Sequence, residues 1–423
     1  MFRYLIVLAI VLVNQCEIPQ SAESFSEFVE NFIAEYQQLE IPELELSYSN
    51  NLNRIANLED LKRQHQFFKT YGAKLDAFST ADLSEKEKVT KAVLDYEIEL
   101  NLERIYLETK WNTEKHKTKA SKLYDEALGK QWYEYFLKKW IDKDLTPDAA
   151  FQFGLNEIEK VKQAITGIQN EMGLNDMEFN RLLNDASFFI DNKKEILNKY
   201  LNLSQKVNQK ARLYFPEVEQ IPALTITAGT NRALAMVPAY YDNDTFFYNF
   251  FDETYDVRDT GWLYVHEGIP GHHYQFHMSE KYNLPTSSIF SYMSYIEGWA
   301  AYIEQFGKEI EAYPTNMDTY ANLRWNLIRS IRVALDVGLN YYGWSDEKAL
   351  NFWREHLKGN DAIAQREIKR VKRWPVQVIT YKYGKHVLDR LKGDISSQEE
   401  LKTFHSNVLQ FGPIPLSVLE KHI

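Results

Sequence analysis

A single cysteine, Cys16, in 423 residues excludes an internal disulfide and any cluster of thiolate ligands. A transition metal, if one is held, must therefore be held by histidine and carboxylate. No proline- or glycine-rich linker divides the chain and no fixed-period repeat runs through it, which argues against a string of modules. Positive charge is scarce as well. With 49 Lys and Arg against 60 Asp and Glu the formal net charge is -11, which speaks against a nucleic-acid surface because displacing counterions from phosphates needs concentrated basic charge. The length and an apolar fraction of 44% nevertheless suffice for a large core without disulfides or a partner.

The opening MFRYLIVLAIVLVNQC has one Arg3 and then an apolar stretch, Tyr4 to Val13, too short to span a bilayer comfortably. It reads as a signal peptide over residues 1–22, cleaved near Ser21-Ala22, and predicts an exported protein, periplasmic or secreted, with no transmembrane span after cleavage. Cys16 lies where a lipoprotein carries its acylated cysteine, although Gln15 is bulkier than a lipobox normally accepts. A lipid anchor at Cys16 is the second expectation.

Residues 23–215 read as a helical region. Phe25, Phe28, Val29, Phe32, Ile33 and Tyr36 follow the 3.6-residue period, Ser24/Glu27 and Ser84/Glu87 have capping-box spacing, and Thr146-Pro147 sets a cap before a first-turn proline. Between Pro222 and Phe250 the texture changes: LTIT (224–227), Pro238-Ala239-Tyr240-Tyr241 and Phe246-Phe247-Tyr248 read as short strands of a small sheet beside the site. Helices resume after Asp259, with Pro285, Pro314 and Pro375 as boundaries. The functional region is placed at 216–423, forming one compact unit with the helical region, and the fold class is mainly α.

Four of the ten histidines fall between 266 and 277, in HEGIPGHHYQFH. His266-Glu267 opens like HExxH, in which two histidines one helical turn apart bind zinc and the glutamate activates the water, but position 270 is proline. On an unbroken helix His272 would face away, and His273 would lie about 10 Å along the axis. Pro270-Gly271 supplies a break, and a two-residue bulge there would bring His272 into the second ligand position, with His273 as the alternative. His273 and His277, four apart, could also face one another on a regular helix, though no Glu follows His273. Glu297, opening EGWAAYIE on an apolar stretch, is the expected third ligand, and Glu304, two turns later, is assigned to the solvated face in preference to the alternative of supporting the ligands.

Assembled, these residues resemble the DUF885 family of bacterial zincin-like peptidases, marked by HExxPGHHxQ and matched at His266, Glu267, Pro270, Gly271, His272, His273 and Gln275. DLTPDAAFQFGLNEIEKV (144–161), EGWAAY (297–302), RVALDVGLNYYGWS (332–345) and PVQVITYKYG (375–384) are family-like too. The resemblance implies a helical zincin-like metallopeptidase fold, zinc at His266, His272 and Glu297, and Glu267 as general base; it supplies no substrate. Asn340 and Val376 depart from it, standing where His and Gly are expected.

The chemistry so predicted is hydrolysis, by a metal-bound water that Glu267 activates against the carbonyl of a peptide or small amide. Tyr381 is the expected oxyanion donor, with Tyr383 and His386 behind it. Asp336 is expected to orient a ligand histidine or to pair with Arg329 or Arg332, and Arg373 and Gln377 to hold a substrate carboxylate, which would suit an exopeptidase or dipeptidase. The competing readings are a non-catalytic metal- or peptide-binding protein, a helical scaffold, and a non-haem iron enzyme, since two His and one carboxylate suit iron as well.

Overall fold

The computed structural model describes residues 23–113, 120–235, 237–251 and 254–423. The expected signal peptide and Cys16 lie outside them. Ser24 and Glu27 close the expected capping box on α1 (Phe25–Gln38), and α2 (Tyr48–Asn53) and α3 (Leu58–Asp76) follow. The Ser84–Glu87 pair bonds reciprocally ahead of α4 (Glu85–Thr113), which buries residues on all sides and runs beside α3 and α5 (Gly129–Trp140). Thr146 caps α6 (Pro147–Glu171), whose first turn tolerates Pro147 because the missing N–H would have no helical partner anyway. Next come α7 (Asp176–Leu183) and α8 (Lys193–Ala211).

The strands are β1 (Phe189–Ile190), β2 (Thr225–Ala228), β3 (Ala239–Asp242), β4 (Thr245–Tyr248) and β5 (Tyr255–Asp256). β4 is the centre of a three-stranded sheet, parallel to β2 (Ile226 opposite Phe246) and antiparallel to β3 (Tyr241 opposite Phe246), while β1 and β5 pair separately.

The remaining helices are α9 (Asp259–Glu267), α10 (His272–Tyr282), α11 (Met293–Ile303), α12 (Asn316–Asn340), α13 (Asp346–His356), α14 (Asp361–Arg373), α15 (Ile379–Lys392), α16 (Gln398–Leu409) and α17 (Leu416–His422). The three-stranded sheet packs on α9 through β3 and β4, so it flanks the histidine cluster. Every residue of α12 from Leu327 to Asn340 is buried, and the helix lies along α6. A helix apolar nearly all round belongs in a core, and its few charges then require partners. α11 and α15 approach backbone to backbone: a Cβ on Gly298 would lie 2.5 Å from Gly384 Cα, so any larger residue would force them apart. The apolar core is continuous from Phe28 in α1 to Leu419 in α17 and crosses residue 215 without a gap. Among the described residues, no helix is long and apolar enough to cross a membrane.

Candidate metal centre

His266 and Glu267 occupy the last turn of α9, and His272 the first residue of α10. The expected bulge inside one helix is replaced by a full stop and restart: Gly268 caps α9, the Ile269–Pro270 peptide is cis, and Gly271 precedes α10. Gly271 is what lets the restart fold back so closely. A Cβ there would lie 2.0 Å from the His266 carbonyl oxygen and 2.3 Å from that of Val265. Trp299 on α11 fixes the turn from the other side, its indole N–H donating to the Pro270 carbonyl at 2.9 Å.

Two imidazoles are thereby brought together with one carboxylate. The His266 and His272 rings lie 5.0 Å apart at 84°, and their Nε2 atoms are 3.6 and 3.5 Å from the same Glu297 oxygen, Oε2. Tetrahedral ligands at zinc distances stand about 3.3–3.5 Å from each other. Glu297 Oε2 is buried and has no hydrogen-bond partner among the described residues, while 18% of the side chain stays accessible. A buried carboxylate oxygen facing two imidazole nitrogens without a hydrogen bond is costly unless a cation lies between them. The donor set therefore fits a zinc-class ion and leaves one side open.

Around the three lies a second layer of bonds. Glu304 Oε1 is 2.8 Å from His266 Nδ1, and the Glu304 carboxylate also accepts from Arg329 at 2.7 and 2.8 Å and from Asn322 at 2.6 Å. Glu304 is thus buried and fully engaged, which corrects its assignment to the solvated face. Two turns beyond Glu297 it shares that residue's face, and the buried Arg329 outweighs the general preference of glutamate for water. His272 is held more loosely, with Nδ1 3.4 Å from Gln275 Oε1. Burial by itself would lower the His266 pKa, but the carboxylates of Glu297 and Glu304 on its two nitrogens push it up to about 9. Burial would raise Glu297, yet His266 and His272 beside it hold it well below the usual carboxylate range. Glu267 is raised, burial outweighing the nearby imidazoles.

The other expected residues divide. The Tyr381 ring on α15 stacks on His266 at 6.2 Å and 25°, and its hydroxyl accepts from Gln377 Nε2 at 3.3 Å, leaving its own proton free to donate. Gln377 is itself held by Arg370, at 2.9 Å. His273, the alternative ligand, points elsewhere: successive helical residues diverge by about 100°, and its ring nitrogens meet Pro222 and Tyr241. Asp336 meets neither a ligand histidine nor an arginine; it accepts from the Tyr133 hydroxyl (2.8 Å) and the Val376 N–H (2.9 Å). The arginines it was expected to pair with are taken by Glu304 and by Glu367, which lies 2.7 Å from Arg332. Arg373 is exposed over Trp374 and lines a separate cavity with Tyr36 and Arg104, so it does not join Gln377. Tyr383 and His386 pack on Phe153 of α6. Asn340 donates to the Val371 carbonyl at 3.0 Å, and Val376 sits at φ +73°, a backbone that suits glycine.

Two solved structures share this fold. One, "the putative lipoprotein from Colwellia psychrerythraea", superposes with a TM-score of 0.63 at 21% identity, over 94% of this chain and 72% of that one. The other, "a putative lipoprotein of unknown function from Shewanella oneidensis", gives 0.69 at 16% identity, over 95% and 99%. No curated protein matches the chain. The family model described as "Bacterial protein of unknown function (DUF885)" matches residues 106–423, which include the histidine cluster, Glu297, Glu304 and Tyr381, and the chain belongs to that family.

Proposed function

We propose that this chain is a zinc-dependent hydrolase of peptides or small amides, with the ion held by His266, His272 and Glu297. The observation that carries the reading is the Glu297 oxygen, buried without a hydrogen bond and 3.5–3.6 Å from two imidazole nitrogens. Bound there, zinc would supply Lewis acidity toward a water and a substrate carbonyl.

The protein's own groups then have distinct tasks. Glu267, adjacent to His266 and raised by burial, takes a proton from the attacking water and returns it to the leaving amine. The Tyr381 hydroxyl, accepting from Gln377, donates its proton toward the developing oxyanion. Glu304 keeps the His266 Nδ1 proton in place, so that Nε2 presents its lone pair toward Glu297. A general base beside the ligands favours hydrolysis over metal or peptide binding alone, because binding gains nothing from it. Export, with or without a lipid anchor at Cys16, is proposed from the apolar start of the chain and agrees with neighbours described as lipoproteins.

The experiment is Glu267→Gln screened beside the wild type against a peptide library. Loss of turnover of at least about 100-fold with bound zinc unchanged is expected, from the usual weight of a general base. Equal turnover in both proteins would sink the assignment.

A further inference from the structure

The β3–β4 hairpin and one face of α10 remain outside the proposed chemistry, and they hold a second set of metal-ligating atoms. Asn243 and Asp244 form the tight turn between β3 and β4, both with positive φ (44° and 56°), and the turn aims the Asp244 carboxylate at α10. There it meets His273 and His277, one helical turn apart, with ring centroids 4.8 Å apart at 82°. Asp244 Oδ1 is 3.4 Å from His273 Nδ1 and 2.7 Å from His277 Nε2, and the three ligand atoms lie within 4.8 Å of one another. The Tyr241 hydroxyl closes the group, 3.2 Å from His273 Nδ1 and 3.0 Å from Asp244 Oδ1.

The buried histidine is set up as a ligand. His273 Nε2 has the Pro222 carbonyl at 2.9 Å, an acceptor only, so Nε2 carries the proton and Nδ1 turns its lone pair into the group. His277 Nε2 donates its proton to Asp244 Oδ1 at 2.7 Å, a proton that an arriving cation would displace, while its Nδ1 lies 3.6 Å from the Glu280 carboxylate. His273 is fully buried, whereas 52% of the Asp244 side chain is accessible, and the group borders a cavity of about 520 Å³ lined also by Phe276, Glu280 and Asn283. An ion would thus have a rigid anchor and an open route from solvent.

We propose that Asp244, His273 and His277 form a second site for a zinc-class divalent ion, weaker and more readily exchanged than the first, which pins the β3–β4 turn to the helix carrying His272. Two imidazoles and a carboxylate select such an ion over calcium or magnesium. The two sites are neighbours through one ring: Phe276 stacks on Tyr241 and on His272, each at 5.7 Å and 22°. Occupancy of the outer site therefore tightens the surface against which His272 rests.

The test is equilibrium dialysis against Zn²⁺ alone, with bound zinc measured by elemental analysis, on the wild type and on His277→Ala, Asp244→Asn and His266→Ala. The wild type is expected to bind two ions, the second at least tenfold more weakly, and both His277→Ala and the surface variant Asp244→Asn to weaken only that second ion by tenfold or more. His266→Ala separates this proposal from the hydrolase reading, since it should keep the weaker ion. A wild type that binds a single ion, or a second ion indifferent to both His277→Ala and Asp244→Asn, overturns the proposal.

Discussion

Glu304 Oε1 lies 2.8 Å from His266 Nδ1, and the same carboxylate is the partner of the buried Arg329. One side chain therefore does two things: it sets the tautomer and direction of a candidate ligand, and it neutralises a guanidinium that could not otherwise be buried. The two roles are separable. Glu304→Gln keeps an acceptor for His266 but loses the charge, and should weaken zinc binding by about 10–100-fold. Both variants leave the Arg329 charge uncompensated and should cost roughly 3–5 kcal/mol of stability, Glu304→Ala the more because it also removes the acceptor. Zinc titration and urea unfolding of both variants check this; stability unchanged in both variants would show that Arg329 does not depend on the carboxylate.

Tyr381→Phe removes a hydroxyl but keeps the ring that stacks on His266. If the hydroxyl serves the transition state, kcat falls by about 10²–10³ while KM and zinc content barely change. A loss confined to KM would instead assign Tyr381 to substrate binding.

His405 provides a pH test on a buried histidine that is not among the candidate ligands. It is buried against Phe215, donates from Nδ1 to the Tyr214 carbonyl at 2.7 Å and accepts at Nε2 from the Tyr302 hydroxyl at 3.0 Å, and burial lowers its pKa to about 4 despite the Tyr214 bond. The unfolded chain takes up a proton near pH 6.5 and the folded one only near 4. Its contribution is therefore complete above about pH 6.5 and is lost as pH falls toward 4, up to roughly 3 kcal/mol. Urea unfolding across that range should show a steeper acid loss in the wild type than in His405→Gln; parallel curves would contradict the assignment.

Val376 combines φ +73° with complete burial. A buried Val→Gly change ordinarily costs about 3 kcal/mol from lost burial and added chain entropy, but release of a strained backbone returns roughly 1–3 kcal/mol. Val376→Gly should thus cost no more than about 2 kcal/mol, whereas Val387→Gly in α15 should cost the full amount. Equal losses in the two variants would mean that position 376 is not strained.

Much of the fold could be read from the sequence where the signal is local. The Ser24, Ser84 and Thr146 caps and the three strand segments depend on neighbours within a few residues, and the structure has them. The Pro270-Gly271 break was legible for the same reason, although its form, two helices rather than one bulged helix, depends on Trp299 gripping the turn from α11. What escaped is tertiary. Glu304 looks like an ordinary exposed glutamate until Arg329 arrives from α12, and Asp336 looks like a partner for a histidine until Tyr133 and the Val376 N–H take both its oxygens. A hint was present in both cases: α12 carries Arg329, Arg332, Asp336 and Asn340 on an otherwise apolar stretch, and each must find a partner.

The central claim is that His266, His272 and Glu297 together hold one zinc ion. The most direct measurement is the zinc retained per chain after exhaustive dialysis, by elemental analysis, in the wild type and in His266→Ala, His272→Ala and Glu297→Gln. The account predicts about one tightly held zinc in the wild type and its loss in all three variants; a wild type without metal, or metal that survives all three substitutions, would contradict it.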